Sequence, residues 1–158
     1  MAPGGASVLK RLRSTSFRTF ILYPLIVVAW ELWLNGGRLR LEPWFLPLML
    51  WGYLQYRLAG RYRLRLGGGG PGMDTPPERL VTSGPFALCR NPMYLGHLIF
   101  LAGLALSLRS WLAAAIALGT AVWLQLRVLR DEQRLAGRFG EPYMQYLSRV
   151  KRWIPAIL

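Results

Sequence analysis

Four apolar runs, separated by basic or glycine-containing stretches, constrain this 158-residue chain more than any other feature. Phe20 to Trp30 is apolar apart from Tyr23 and Pro24, and Leu32, Trp33 and Leu34 extend it past Glu31. Trp44 to Leu54 is the second run. Met93 to Leu108 and Trp111 to Leu126 are the third and fourth, with only Arg109 and Ser110 between them. A helix crosses the hydrocarbon core of a bilayer with about 20 mostly apolar residues. With their flanks the third and fourth runs reach that length, and the first two meet it more loosely. The expected fold is an all-α membrane protein with about four transmembrane helices in two hairpins.

Charge supports this reading. The chain is 53% hydrophobic with seven Trp, yet its formal net charge is +13. A soluble domain of that kind would bind nucleic acid or expose much apolar surface, whereas a membrane protein keeps charge in loops and apolar residues in spans. All Lys and Arg except Arg38, Arg40 and Arg109 fall in the N-terminal segment, the middle loop with its edges, or the C-terminal segment. Cytoplasmic segments collect Lys and Arg, so the expected topology is multi-pass with both termini cytoplasmic. No nucleic-acid recognition motif appears, and the positive-inside pattern accounts for the charge. The first run is longer than a signal-peptide core and lacks a small-residue cleavage site after it. The single cysteine, Cys89, allows neither an internal disulfide nor a multi-Cys metal site.

Within one domain spanning 1–158, residues 1–16 are small, polar and basic, and are expected to be poorly ordered. The first hairpin turns near Asn35-Gly36-Gly37. Residues 61–92 form the expected cytoplasmic Gly/Pro-rich loop. Its Gly67-Gly68-Gly69-Gly70 run is a flexible hinge by composition, not a phosphate-binding fingerprint, because no buried strand precedes it and no Gly-Lys-Ser/Thr follows. The second hairpin turns at Arg109-Ser110. Beyond Leu126 the pattern becomes amphipathic, predicting a helix that continues into water or the interface, with Gly140 placed to end it. Trp153-Ile154-Pro155 then returns the chain to apolar surroundings.

Two clusters carry residues suited to chemistry. Arg90-Asn91-Pro92-Met93-Tyr94-Leu95-Gly96-His97 opens the third run. Pro92 fits a first helical turn, Tyr94 and His97 share a face by i, i+3 spacing, and Gly96 permits close approach of a ligand or backbone. An interfacial tyrosine also serves as a headgroup anchor, and a lone histidine in a span serves as a hydrogen-bonded structural group. The second cluster, Arg127 to Leu135, contains Asp131-Glu132, the one adjacent acidic pair in a basic chain. It reads either as a solvated face with Asp131 pairing to Arg127 and Arg134, or as carboxylates for ribose hydroxyls or a substrate cation.

From Ser83 to Pro155 the chain resembles the isoprenylcysteine carboxyl methyltransferase and phospholipid N-methyltransferase group of membrane enzymes. The resemblance rests on Gly84-Pro85-Phe86, Arg90 to Gly96, Arg127 to Leu135, Phe139 to Tyr146, and Arg152 to Pro155. Two departures are Asn91 where His is common, and Asp131 where the first Glu of the acidic pair is usual. The resemblance implies that residues 83–155 form the half binding S-adenosylmethionine. Arg90, Asn91, Pro92, Tyr94, Gly96 and His97 would line one wall, with Asp131 and Glu132 on the other. Arg127, Glu132 and His97 are the implied catalytic residues. The implied acceptor is a lipophilic small molecule or lipidated substrate in the bilayer. A carboxylate or thiolate acceptor needs no general base, and Arg127 or Arg90 would hold the anion. A phospholipid amine needs one, with Glu132 or His97 as candidates.

A different class of protein also fits part of the pattern. Glu31 in the first run is costly in lipid and should face a bundle interior or cavity. A small four-span transporter would use it as a coupling carboxylate, but would leave the Asn-Pro-Met-Tyr and Asp-Glu motifs without a role.

Overall fold

A computed structural model describes residues 14–70 and 75–153. The expected basic N-terminus up to Arg13 and the closing Ile154-Pro155 lie outside the described residues. Among those described, all regular structure is helical. Helix α1 is Thr15–Leu34; a 3₁₀ turn, Pro43–Phe45, leads into α2, Leu46–Gly67. Then follow α3 (Pro85–Leu88), α4 (Pro92–Leu108), α5 (Trp111–Phe139) and α6 (Glu141–Arg149).

Helices α1 and α5 are long and apolar enough to cross a membrane, while α4 is apolar but shorter. The second half of α2 carries Arg57, Arg61, Arg63 and Arg65, which dilutes its hydropathy. Within α1 a π-helical stretch, Arg18–Leu22, immediately precedes Pro24, with the Tyr23 N–H donating to the Arg18 carbonyl five residues back. Pro24 supplies no N–H, and a π-bulge is one way a helix absorbs the missing bond.

Three boundaries differ from expectation. Thr15 and Ser16 are already helical, and Thr15 is buried. Residues 61–67, expected in the loop, complete α2, because Arg-Tyr-Arg-Leu-Arg-Leu contains no helix breaker before the glycines. The glycine run is a packed turn in its described part, not a loose hinge. Gly68 and Gly69 have φ of 65° and 76°. A Cβ on Gly69 would lie 2.5 Å from the Pro76 carbonyl oxygen, and one on Gly70 2.7 Å from Thr75 Oγ1. Only glycine allows that approach.

The chain divides into two compact units. Unit 1 comprises residues up to Tyr53 together with His97–Ala117. Its core is Val27, Phe100, Leu101, Leu104, Leu108 and Ala113, with Phe20 and Met49 against it. The Phe20 ring packs on Tyr53, His97 and Phe100 at centroid distances of 5.2, 4.7 and 4.9 Å. Gly103 lets α4 approach the backbone of α2, since a Cβ there would be 2.8 Å from the Met49 nitrogen. The α4–α5 turn is Arg109-Ser110, with Arg109 at φ 48° and Ser110 Oγ accepting from the Ala113 N–H at 3.2 Å. Trp33, Trp44 and Trp111 are 73%, 85% and 89% exposed. Surface this apolar is what a bilayer solvates, and Trp favours the interface.

Unit 2 comprises Leu54–Gly96 and the chain from Leu118 onward. It contains the turn after α2, the short helix α3, the first residues of α4, most of α5, all of α6, and a C-terminal strap, Val150 to Trp153. Gly84 (φ 58°) starts α3 where a Cβ would lie 2.5 Å from the Tyr62 ring, and Gly140 (φ 60°) separates α5 from α6. Helix α6 turns Tyr143 and Tyr146, one turn apart, into the protein.

Candidate functional site

Unit 2 encloses a cleft of about 840 Å³, counted to its open mouth. One wall is the start of α4, where the Pro92 carbonyl accepts from Gln55 Nε2 at 3.0 Å. Tyr94, one turn in, is 7% exposed. Its hydroxyl donates to Asp131 Oδ2 at 2.7 Å and accepts from Arg127 Nε at 3.1 Å. Arg127 Nε also lies 3.6 Å from Asp131 Oδ2, and Arg134 is 3.8 Å from the other oxygen. The Arg127 guanidinium sits 5.3 Å from the Trp123 ring centroid and 5.9 Å from that of Tyr94.

Glu132, next to Asp131 on α5, is held by two cations. Arg152 grips it with both arms, Nε to Oε1 at 3.1 Å and Nη2 to Oε2 at 2.8 Å. Arg90 Nη2 reaches Oε1 at 3.3 Å. This fork geometry is the strong form of a guanidinium–carboxylate contact. The hydrogen bond from Arg152 to Glu132 raises the arginine pKa. The strap is fastened again by its backbone: the Arg90 N–H donates to the Lys151 carbonyl at 2.9 Å, and Asn91 Nδ2 and Cys89 Sγ donate to that of Arg152 at 3.2 and 3.4 Å. Trp153 Nε1 donates to Gln125 at 2.7 Å. Burial pushes the Cys89 thiol above its usual pKa, which suits a packed donor better than a nucleophile.

The roof comes from Thr75-Pro76-Pro77, Leu80 and Val81. Arg63, 8% exposed, ties it to α2 by donating to the Thr75 carbonyl at 2.8 Å and the Gly70 carbonyl at 2.9 Å. Phe86, Tyr143 and Tyr146 add aromatic surface.

Six residues expected at the site, Arg90, Asn91, Pro92, Tyr94, Asp131 and Glu132, line this cleft. Three do not. Arg127 stands behind Tyr94, and Gly96 is buried off the wall. His97, 0% exposed, belongs to unit 1, against Phe20. Sequence reasoning missed Arg63, Arg134, Phe86, Tyr143, Tyr146 and the Thr75–Pro77 segment. The tyrosines and Phe86 were inside recognised motifs. Arg63 carries no signal that separates it from Arg61 and Arg65.

The family-model match overlaps this same region. Residues 65–141 match the family model for phospholipid methyltransferase. That segment, a little under half of the chain, is therefore similar to this family. The chain's curated relatives include protein-S-isoprenylcysteine O-methyltransferase B of Arabidopsis thaliana, 33% identical over 51% of this chain and 41% of the relative. A cobalt-zinc-cadmium resistance protein of Cupriavidus metallidurans is 34% identical over 49% of this chain and 36% of its own length. A nickel-cobalt-cadmium resistance protein of Alcaligenes xylosoxydans xylosoxydans is 33% identical over 49% and 37%. The chain thus covers well under half the length of these relatives. The matched segment includes α5, one of the two helices long and apolar enough to cross a membrane.

The cleft suits a methyl donor of the adenosine–methionine type in chemistry. Small-molecule sites combine apolar walls with a few convergent polar groups. Here Phe86, Pro76 and Pro77 offer apolar surface that would suit a flat ring system, and Arg134 offers a donor that would suit a carboxylate.

Proposed function

We propose that this chain is an S-adenosylmethionine-dependent methyltransferase that modifies a lipophilic acceptor in the membrane. The observation that carries the reading is the cleft itself. Within the family-matched segment, Arg90 to Tyr94 on one side and Asp131-Glu132 on the other face one open cleft. In this proposal α1, α2, α4 and α5 are four spans, both termini are cytoplasmic, and the cleft opens to the cytoplasm.

The bound cofactor supplies an electrophilic methyl group on a sulfonium. Transfer would be an in-line displacement, in which an acceptor's lone pair would form the new bond to the methyl carbon and the C–S electrons would leave with sulfur. Positioning and exclusion of water supply most of the catalysis in such a step. The state of the two carboxylates bears on the acceptor. Glu132 already receives three guanidinium contacts, and Asp131 receives the Tyr94 O–H. Both oxygens of Glu132 and Oδ2 of Asp131 are thus engaged, which leaves only Asp131 Oδ1, 3.8 Å from Arg134, to serve an amine as a base. An acceptor that arrives as an anion, a carboxylate or thiolate, needs none. This favours the isoprenylcysteine-type reaction over methylation of a phospholipid amine. Glu132 then acts as a positioning residue that joins α5 to the strap, and Arg134, 64% exposed, is the cation nearest to hand for an incoming anion.

Calorimetry with S-adenosylmethionine on the detergent-purified chain tests the first step, and saturable binding is expected. Methyl transfer to a prenylated thioether carboxylate should exceed transfer to phosphatidylethanolamine by at least tenfold. Absence of binding by folded protein overturns the methyltransferase reading, and preference for the amine overturns the acceptor assignment.

A further inference from the structure

Helix α6 places two tyrosines side by side, with ring centroids 6.0 Å apart. They are buried alike, Tyr143 at 3% exposure and Tyr146 at 7%. Their hydroxyls have different fates. Tyr146 donates to the Phe86 carbonyl at 2.6 Å and so ties α6 to α3. The Tyr143 hydroxyl makes no hydrogen bond with any described residue. The ring is buried, but Tyr143 lines the cleft and its hydroxyl opens onto it. A molecule bound in the cleft can therefore accept a hydrogen bond from it.

The surrounding charges indicate what that partner is. Glu132, Arg90, Asp131 and Arg152 are the ionised groups acting on the Tyr143 hydroxyl. Both carboxylates already accept hydrogen bonds, as described above. Burial, reinforced by the Glu132 charge, pushes the phenol up to about 12, so near neutral pH it is a fixed, uncharged O–H donor. Arg134 is a second donor at the cleft, held only by a long contact to Asp131. The cleft thus offers more donors than acceptors and fits a ligand bearing an anionic oxygen.

We infer that Tyr143 is a ligand-binding residue whose hydroxyl donates a hydrogen bond to the amino-acid carboxylate of S-adenosylmethionine bound in the cleft. This rests on the cofactor reading above and adds a contact within it. Tyr146 is its structural counterpart: its hydroxyl is taken by the Phe86 carbonyl, so it offers the cleft only its ring.

The test is calorimetry on the full chain with two probes: S-adenosylmethionine, and 5′-methylthioadenosine, which lacks the amino-acid group. Tyr143→Phe keeps the ring and its packing. It should weaken S-adenosylmethionine binding by about 10- to 100-fold, the range for a hydrogen bond to a charged group. Methylthioadenosine affinity should stay within about twofold of wild type. Tyr146→Phe should lower the melting temperature while keeping the wild-type preference between the probes. Equal S-adenosylmethionine affinity in Tyr143→Phe and wild type overturns the assignment, and so does an equal loss for both probes. Wild-type protein that is folded yet binds neither probe overturns the cofactor reading itself, and this contact with it.

Discussion

Unit 1 and unit 2 differ in where their charged side chains lie. In unit 1 the enclosed residues are mainly aliphatic and aromatic, centred on Val27, Leu101 and Phe100 with Phe20 beside them. Its ion pair, Glu42 with Arg109, joins side chains that are 41% and 72% exposed. Exposed pairs of this kind contribute little. Unit 2 has an apolar interior too, with Leu124 and Val128 fully buried, but it adds a partly buried polar network: Arg90, Arg152 and Glu132 at one node, Tyr94, Arg127 and Asp131 at the other. Apolar packing is non-directional and tolerates change of detail, whereas a buried polar network fails when one member is removed. The chemistry and the fragility should therefore both reside in unit 2.

The largest expected effect tests that difference directly. Glu132→Ala leaves two guanidinium groups without their shared carboxylate. Breaking a buried ion pair by removing one partner costs about 3–5 kcal/mol. Hydrogen exchange should show lost protection in residues 147–153 and 89–91, with residues 100–108 unchanged, and cofactor binding should disappear. Uniform loss across both units would mean that they do not differ in this way.

Leu101→Ala is the matching change in unit 1. Leu101 is fully buried, and such truncations cost about 2–5 kcal/mol through lost burial and the cavity left behind. Thermal denaturation should register it, while S-adenosylmethionine affinity below the melting transition stays within about twofold of wild type. A large loss of affinity would show that the apolar unit shapes the cleft.

These two residues also mark what was legible beforehand. Apolar runs located α1, α4 and α5, Arg109-Ser110 marked the turn between the last two, and Gly140 marked the end of α5, because each depends on local chemistry. Tyr94 and Asp131 were both singled out, and their 2.7 Å hydrogen bond joins the two clusters. What stayed hidden is long-range. Glu132 and Arg152 are 20 residues apart, and no spacing rule pairs them. Helical spacing put Tyr94 and His97 on one face, yet three residues of rise is about 4.5 Å, enough to take the imidazole to the Phe20 ring instead of the cleft. The arginines of α2 are equivalent as sequence, but only Arg63 is buried and bonded to the turn.

Arg63→Lys sharpens the comparison at intermediate scale. An ammonium has no planar fork with which to span the Gly70 and Thr75 carbonyls. Two hydrogen bonds from a charged donor are lost or weakened, each worth about 1.5–3 kcal/mol. Because the change falls on the roof of the cleft, affinity should drop about tenfold, and the melting temperature should fall by roughly 5 °C or more. A lowered melting temperature with unchanged affinity would make the Thr75–Pro77 segment scaffolding and not wall.

The smallest effect is expected at Glu31, the acidic residue that made a transporter conceivable. In the structure it lies in the last turn of α1, and Asn35 Nδ2 donates both to its carbonyl at 2.7 Å and to Oε2 at 3.1 Å. That is how a helix C-terminus uses a polar side chain to satisfy its last carbonyls. A carboxylate bonded to its own helix end needs no negative charge, because glutamine also offers an oxygen to the asparagine amide. Glu31→Gln should change stability by less than about 0.5 kcal/mol, the usual range for substitutions away from a buried network, and leave cofactor binding untouched. Proton uptake coupled to solute movement in proteoliposomes, abolished by this one substitution, would reverse the comparison and make the apolar unit the functional one.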